Sequence, residues 1–485
     1  MRTLEIALVA VLAVALVVGP FRRRRMFASL AVIAAGVALA HAVIEGARWQ
    51  MAPAYLLTFS LVTVGVAGLL GWRPPRWASI GGTAAGALAV ALSAALALVL
   101  PVPTLPTPTG PHRIGTFTVA VTDKTRPEPF TPDPDDRRRL MAQVWYPSDA
   151  VEGPREPYIR DTQVFASVAQ VFGMPGFIMD HLALVRTHSI IDAPPPTDSA
   201  KYPVVVFVTG NAGFRQSNTI QVEELVSHGY VVVGIDQPGT AGSVLFPDGD
   251  RIDYATPEVV RPLIDQSVDP RPNPPELHGQ TYPDGIIPLL TDDVRFMIDE
   301  IERMNADTGP LAGRLDTSLI GVLGISLGGI VAADACATEP RVAACLAMDS
   351  TMTVRTMGNS ISAPVMWLTR PNSDMRAEDW PESEIALHAT QRSAFESATG
   401  PAWFVTISGM FHLDFTDAPY GSPLFAWLGQ DGPIGGDRAH EVVRAVTVAF
   451  FDTALRGVPG ARSELLTNPA DAGYPEVTVH ARGAP

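Results

Sequence analysis

The chain opens on four apolar stretches and then changes character. Residues 4–20, 26–45, 52–71 and 79–102 carry few charges and are apolar on all helical faces. Each is close to the ~20 residues an α-helix needs to cross the ~30 Å hydrocarbon core of a bilayer. A helix that is apolar all round suits lipid better than a small soluble bundle, where one face meets water. The first stretch resembles the apolar part of a signal peptide, but its basic cluster follows it and three similar stretches come next. The pattern predicts a transmembrane region of about four helices over residues 1–103.

Residues 101–112, PVPTLPTPTGPH, hold five prolines in twelve positions, which predicts a short stiff linker over 104–115. Beyond it strand-type and helix-type periods alternate. Val119–Asp123 and MAQVWYP (141–147) read as early strands. YPVVVFVTG (202–210) and YVVVGIDQPG (230–239) are near-continuous apolar runs ended by turn residues, as in parallel strands buried on both faces. Further strand signals fall at 318–323, 342–348, 363–369 and 402–408. Helical spacing appears in QSNTIQVEELVSHG, in 286–304, where Leu290, Val294, Met297, Ile298 and Ile301 share a face, and in 439–455. This alternation predicts an α/β domain with a mostly parallel, doubly wound sheet over 116–460, followed by a tail at 461–485. Residues 240–285 are rich in Pro, Asp and Gly without a clear period; a connection that long predicts a cap over one end of the sheet. VFASVAQVF and FIMDHLALV, within 161–186, predict short apolar helices forming a second lip.

Charge divides the chain at the same place. Residues 1–103 hold eight arginines and two glutamates, a net of +6; with −15 on the whole chain, residues 104–485 carry −15 − (+6) = −21. An acidic body excludes the basic footprint that nucleic acid requires. The basic loops FRRRRM and WRPPRW predict cytoplasmic placement, with EGARWQ and both termini outside. Trp49, Trp72 and Trp77 fall at the expected interfaces. The body is then extracytoplasmic, where a Cys336–Cys345 disulfide is as admissible as two buried thiols. The two cysteines have no metal-ligand spacing.

The chemistry centres on SLIGVLGISLGGIVAAD. Gly324-Ile325-Ser326-Leu327-Gly328 satisfies G-x-S-x-G between a predicted strand and a predicted helix, the context in which the serine is pushed into the open on a tight turn. A serine hydroxyl needs a base, and in this arrangement an acid and then a histidine follow it in the chain. Of the ten histidines, His41 lies in a predicted span and His228 at a helix end; His412, in FVTISGMFHLDF, sits just past the last predicted strand. The acid is Asp349, directly after strand 342–348, or Asp374, further into the next loop. A buried carboxylate on the second ring nitrogen is all that the chemistry requires. The backbone amides of Leu327 and of Asn211, in TGNAGFR, are placed to receive a developing oxyanion.

With these residues in place, residues 105–457 resemble the secreted and plasma-type platelet-activating factor acetylhydrolases, serine esterases of the α/β-hydrolase fold. The resemblance is carried by PTPTGPHRIGT, AQVWYPSD, PVVVFVTGNAGFR, LVSHGYVVVGID, GISLGG and VAFFDTALRG. In that family the acid follows the nucleophile by 23 residues, which implies Asp349; the histidine of GMFH corresponds to His412, and the second oxyanion amide falls on Asn211. Two departures stand out. The family's GHSxGG has Ile325 in place of its first histidine, and its oxyanion-loop His-Gly pair is Thr209-Gly210 here. Both alter the floor of the site and leave the catalytic groups in place. The resemblance implies an esterase without metal or organic cofactor, acting on a lipid or small ester, with short or oxidised phospholipid acyl chains as the expected substrate. The rivals are a broader esterase, polyester hydrolase or acyltransferase on cell-envelope lipids, and a noncatalytic membrane sensor that keeps the domain for binding.

Overall fold

The computed structural model describes residues 1–485 apart from 20–23, 74, 172, 199, 459–463 and 485. The described residues form two compact units. In the first, four apolar helices run over Thr3–Val18 (α1), Arg24–Ala40 (α2), Ala52–Leu69 (α3) and Arg76–Val99 (α4). Three helical stretches, Arg24–Gly46, Trp49–Leu69 and Arg76–Val99, are long and apolar enough to cross a membrane. The expected first span is shorter: α1 has 16 residues, ~24 Å at 1.5 Å per residue. Two of the arginines in FRRRRM lie outside the described residues.

This unit is closed by a buried polar cluster. Arg48 donates to both Glu5 carboxylate oxygens, at 2.8 and 2.7 Å, and the ring of buried His41 pairs with Tyr55 Oη at 2.7 Å. Two segments from much later in the chain, Met179–Val185 and Gly421–Leu424, belong to the same unit. Gln50 Nε2 donates to His181 Nδ1 there, at 3.0 Å. Part of the expected lip thus belongs with the helices. Its apolar run, FIMDHLALV, gave no sign of that partner.

The second unit is built on one sheet. Its strands are β1 (Arg113–Pro127), β2 (Arg137–Ser148), β3 (Arg155–Pro157), β4 (Arg186–Ile191), β5 (Tyr202–Val208), β6 (Val231–Asp236), β7 (Leu315–Ile325), β8 (Val342–Met348), β9 (Val365–Thr369), β10 (Ala402–Ile407) and β11 (Val477–Arg482). Their order is β11-β10-β9-β8-β7-β5-β6-β2-β1-β4-β3. The central run from β6 to β10 is parallel, and β2 and β11 add antiparallel neighbours on either side of it.

Alternation along the apolar runs explains why both faces are covered. Val204, Val206 and Val208 pack on one side with α7 (Ile287–Ala306) and α8 (Leu327–Thr338). Val205 and Phe207 point to the other side, against α5 (Thr219–Ser227) and α10 (Gly436–Ala454). The Cys336–Cys345 disulfide joins the end of α8 to β8.

Three regions differ from the sequence expectation. The residues expected as a tail contribute β11, with Val479 paired to Val405; its alternation VTVHAR is too short to stand out. The expected cap contains two short hairpins and a helix, α6 (Pro257–Val268), whose period is masked by Pro262. The Pro-rich linker is stitched to α5: Gly110 N–H donates to Ser227 Oγ and His112 N–H to the Ser227 carbonyl, both at 3.0 Å. It is a docked strap, and its composition alone reads as a free spacer.

Candidate active site

Ser326 stands between β7 and α8 with φ 55° and ψ −120°, a backbone conformation that costs a side-chain-bearing residue of order 1–3 kcal/mol. The neighbouring glycines make the turn possible. A Cβ on Gly324 would lie 2.0 Å from the Gly328 carbonyl oxygen, and one on Gly328 would lie 2.0 Å from that of Val208. The Ser326 amide is tied to the Met348 carbonyl at 2.9 Å, which brings the end of β8 beside the serine. Ser326 is partly exposed, and its hydroxyl has no hydrogen-bond partner among the described residues.

The loop after β5 approaches from the other side. A Cβ on Gly210 would sit 3.3 Å from Ser326 Cβ, so only a residue without a side chain fits comfortably. Ala212 is also left-handed, φ 56°, and its amide donates to Thr240 O at 2.7 Å. Gly242 N–H donates back to Gly213 O at 2.6 Å, and Asn211 Nδ2 donates to Tyr254 Oη at 3.0 Å. The start of the expected cap therefore holds this loop in shape. The backbone amides of Asn211 and Leu327 have no intramolecular acceptor among the described residues, and Leu327 begins α8, where the helix dipole favours negative charge.

Asp349 follows β8 directly, in a third left-handed conformation (φ 37°), with its carboxylate fully buried. It accepts from Thr369 Oγ1 at 3.1 Å, Arg370 Nε at 3.0 Å and the His412 ring through Nδ1 at 2.6 Å. Burial pushes this carboxyl upward, but the Arg370 guanidinium and then the His412 ring outweigh it and hold it well below the usual carboxylate range. An ionised carboxylate only accepts, so His412 Nδ1 carries the proton and Nε2 is left as a lone-pair base.

The other carboxylate weighed from sequence has a different partner. Asp374 Oδ2 accepts the Gly409 amide at 2.6 Å, shaping the loop that carries His412. Sequence reasoning passed over Arg370, Glu378 and Trp380, which surround the same histidine. A single arginine at the end of the apolar strand VMWLT was the available signal.

Fold and site together define the class: an α/β-hydrolase of the esterase type. Residues 101–243 match the family described as platelet-activating factor acetylhydrolase, isoform II. A platelet-activating factor acetylhydrolase from Cavia porcellus is 21% identical over 326 residues, 64% of this chain and 72% of that protein. A ferulic acid esterase from Streptomyces cinnamoneus superposes with a TM-score of 0.60 at 29% identity, over 78% of this chain and 99% of the esterase. The chain is thus similar to the platelet-activating factor acetylhydrolases, by a family match over residues 101–243 and by distant likeness over a longer stretch.

Proposed function

We propose that this chain is a membrane-anchored serine esterase whose hydrolase domain faces away from the cytoplasm. Ser326 Oγ attacks an ester carbonyl, and His412 Nε2 takes its proton and returns it to the leaving alkoxide. Asp349 fixes the imidazole tautomer and stabilises the imidazolium. The Leu327 and Asn211 amides receive the oxyanion. Water, deprotonated by the same histidine, then releases the acid from the acyl-enzyme.

The observation that carries this reading is the 2.6 Å bond from His412 to buried Asp349, set beside a serine held in a strained turn. The family match supports a short or oxidised acyl ester of a phospholipid as substrate. The likeness to a ferulic acid esterase favours a second reading, a broader carboxylic esterase. The apolar N-terminal helices support anchoring, and the disulfide suits an oxidising compartment.

The test is a substrate panel on the purified full chain in detergent: p-nitrophenyl esters of rising chain length, a 2-acetyl phospholipid and methyl ferulate. Preference for the 2-acetyl phospholipid supports the first reading and preference for ferulate the second. Inactivity toward all of them overturns the esterase proposal. A C-terminal reporter that matures only outside the cytoplasm should be active; signal from a cytoplasm-only reporter contradicts the placement.

A further inference from the structure

Beneath the histidine lies a charged group that the proposed chemistry has not used. Arg370, the residue after β9, has a fully buried side chain. Its Nε donates at 3.0 Å to Asp349 Oδ2, the same oxygen that His412 Nδ1 contacts. Its Nη1 pairs with the Glu378 carboxylate, whose side chain is 5% exposed. Glu378 in turn accepts the backbone N–H of His412, at 3.1 and 3.3 Å. One chain of opposite charges therefore holds His412 twice, by its ring through Asp349 and by its backbone through Glu378.

The local fold that supplies Glu378 is specific. Helix α9 (Asn372–Ala377) ends with Asp379 in a left-handed conformation, φ 62°. Asp379 N–H donates to Arg376 O at 3.1 Å and Trp380 N–H to Met375 O at 3.0 Å, the paired bonds of a Schellman ending. That turn places Glu378 and Trp380 on the histidine side. The Arg370 guanidinium lies 4.6 Å from the Trp380 ring centroid, and the His412 ring 5.3 Å from it. His388 packs edge-on against Trp380 too, with ring centroids 5.0 Å apart.

We infer that Arg370 and Glu378 are positioning residues for His412, and that their opposite charges set the pH at which it works as a base. The inference rests on the esterase reading proposed above. The groups around the histidine are Asp349, Arg370, Glu378 and Trp380, with His388 against the same indole, Asp374 holding the loop at Gly409 and buried Asp414 accepting the Phe411 N–H at 2.7 Å. Arg370 shares the acceptor oxygen of His412, so its charge opposes formation of the imidazolium. Glu378 offsets that charge from the far end of the guanidinium. Removing either partner shifts the balance in opposite directions, whereas loss of packing alone gives no such opposition.

The experiment compares kcat/KM against pH for full-length wild type, Arg370→Gln, Arg370→Lys and Glu378→Gln on p-nitrophenyl acetate. Arg370→Gln is expected to move the acid limb to higher pH, and Glu378→Gln to lower pH, each by about 0.5–1 unit for a charge at this distance in a partly buried site. Arg370→Lys keeps the charge and should return the limb toward wild type. Lower plateau kcat with little change in KM is expected for Arg370→Gln, because an unheld base acts mainly in the transition state. Glu378, at the edge of the network, carries the test alone if Arg370→Gln does not fold. An unmoved limb in Glu378→Gln, or limbs that move the same way in both charge-removing variants, overturns the inference. Ser326→Ala is assayed in the same series. If it retains activity, the esterase reading itself fails; if it is dead while the limbs stay put, the charge pair alone is wrong.

Discussion

Two buried arginines in the hydrolase unit are built almost alike, and only one of them touches a residue of the proposed triad. Arg138 bridges Glu128, at 2.9 and 3.0 Å, and Asp293, at 2.7 Å, with a further bond to Pro238 O at 3.0 Å. Arg370 likewise bridges two carboxylates, those of Asp349 and Glu378. Both guanidiniums are shielded from solvent. Around Arg138 all three nitrogens are bonded, and Asp293 is shared further with Gln237 and Arg126. Around Arg370, one carboxylate oxygen is shared with a histidine that is 22% exposed, and Arg370 Nη2 has no hydrogen bond among the described residues. Burial of charge therefore does not distinguish a structural knot from a working site. What distinguishes them is an accessible titratable member, here His412 bonded to Asp349, a residue with positive φ.

The largest break in this comparison should come from Asp349→Asn. It removes the carboxylate that fixes the His412 tautomer, and kcat is expected to fall about 10⁴-fold. Asp293→Asn, the matching change at the other arginine, should leave kcat per folded molecule within about threefold, since no reacting group touches it; steady-state kinetics on both variants check the contrast. Arg138→Met reverses the emphasis. It strands Glu128 as a buried carboxylate and leaves Asp293 with Arg126 as its remaining cation, and the expected cost is about 3–5 kcal/mol of stability, read from denaturant midpoints, with the kinetics of surviving protein unchanged.

Acid adds a smaller effect, to which the Arg370 side contributes through His388. Burial holds His388 down at about 4, whereas an unfolded histidine titrates near 6.5. As pH falls from about 6.5 toward 4, the unfolded chain binds a proton that the folded chain refuses. Stability is therefore present above that window and lost within it, by up to about 3 kcal/mol. Urea midpoints at pH 7 and pH 4.5 should converge in His388→Gln relative to wild type. The smallest change is Thr369→Val. It deletes one 3.1 Å bond to Asp349 and leaves the others, so an effect of about 1 kcal/mol, or roughly fivefold in kcat, is expected.

The two arginines also show how far the sequence carries. The candidate residues Ser326, Asp349, His412, Asn211 and Leu327 could be singled out because each sits at the end of an apolar run, and β5 through β10 are legible for the same reason. Asp349 and Asp374 were separable by family resemblance, while physical spacing alone left both open. Arg370 and Glu378 were not legible, since their pairing depends on the turn at Asp379, a non-glycine residue in a conformation that composition does not announce. The strap at 104–112 and strand β11 escaped for another reason. Their partners, Ser227 and Val405, lie far away in the chain, and a short segment has no period of its own to reveal them.

The central claim, that Ser326 is a nucleophile activated by His412 and Asp349, is tested most directly by covalent labelling. The full-length chain is treated with a fluorophosphonate, and the modified residue is located by peptide mass mapping. A single adduct on Ser326 is expected, lost in Ser326→Ala and formed far more slowly in His412→Ala. An adduct on another serine, or equal labelling of wild type and Ser326→Ala, would contradict it.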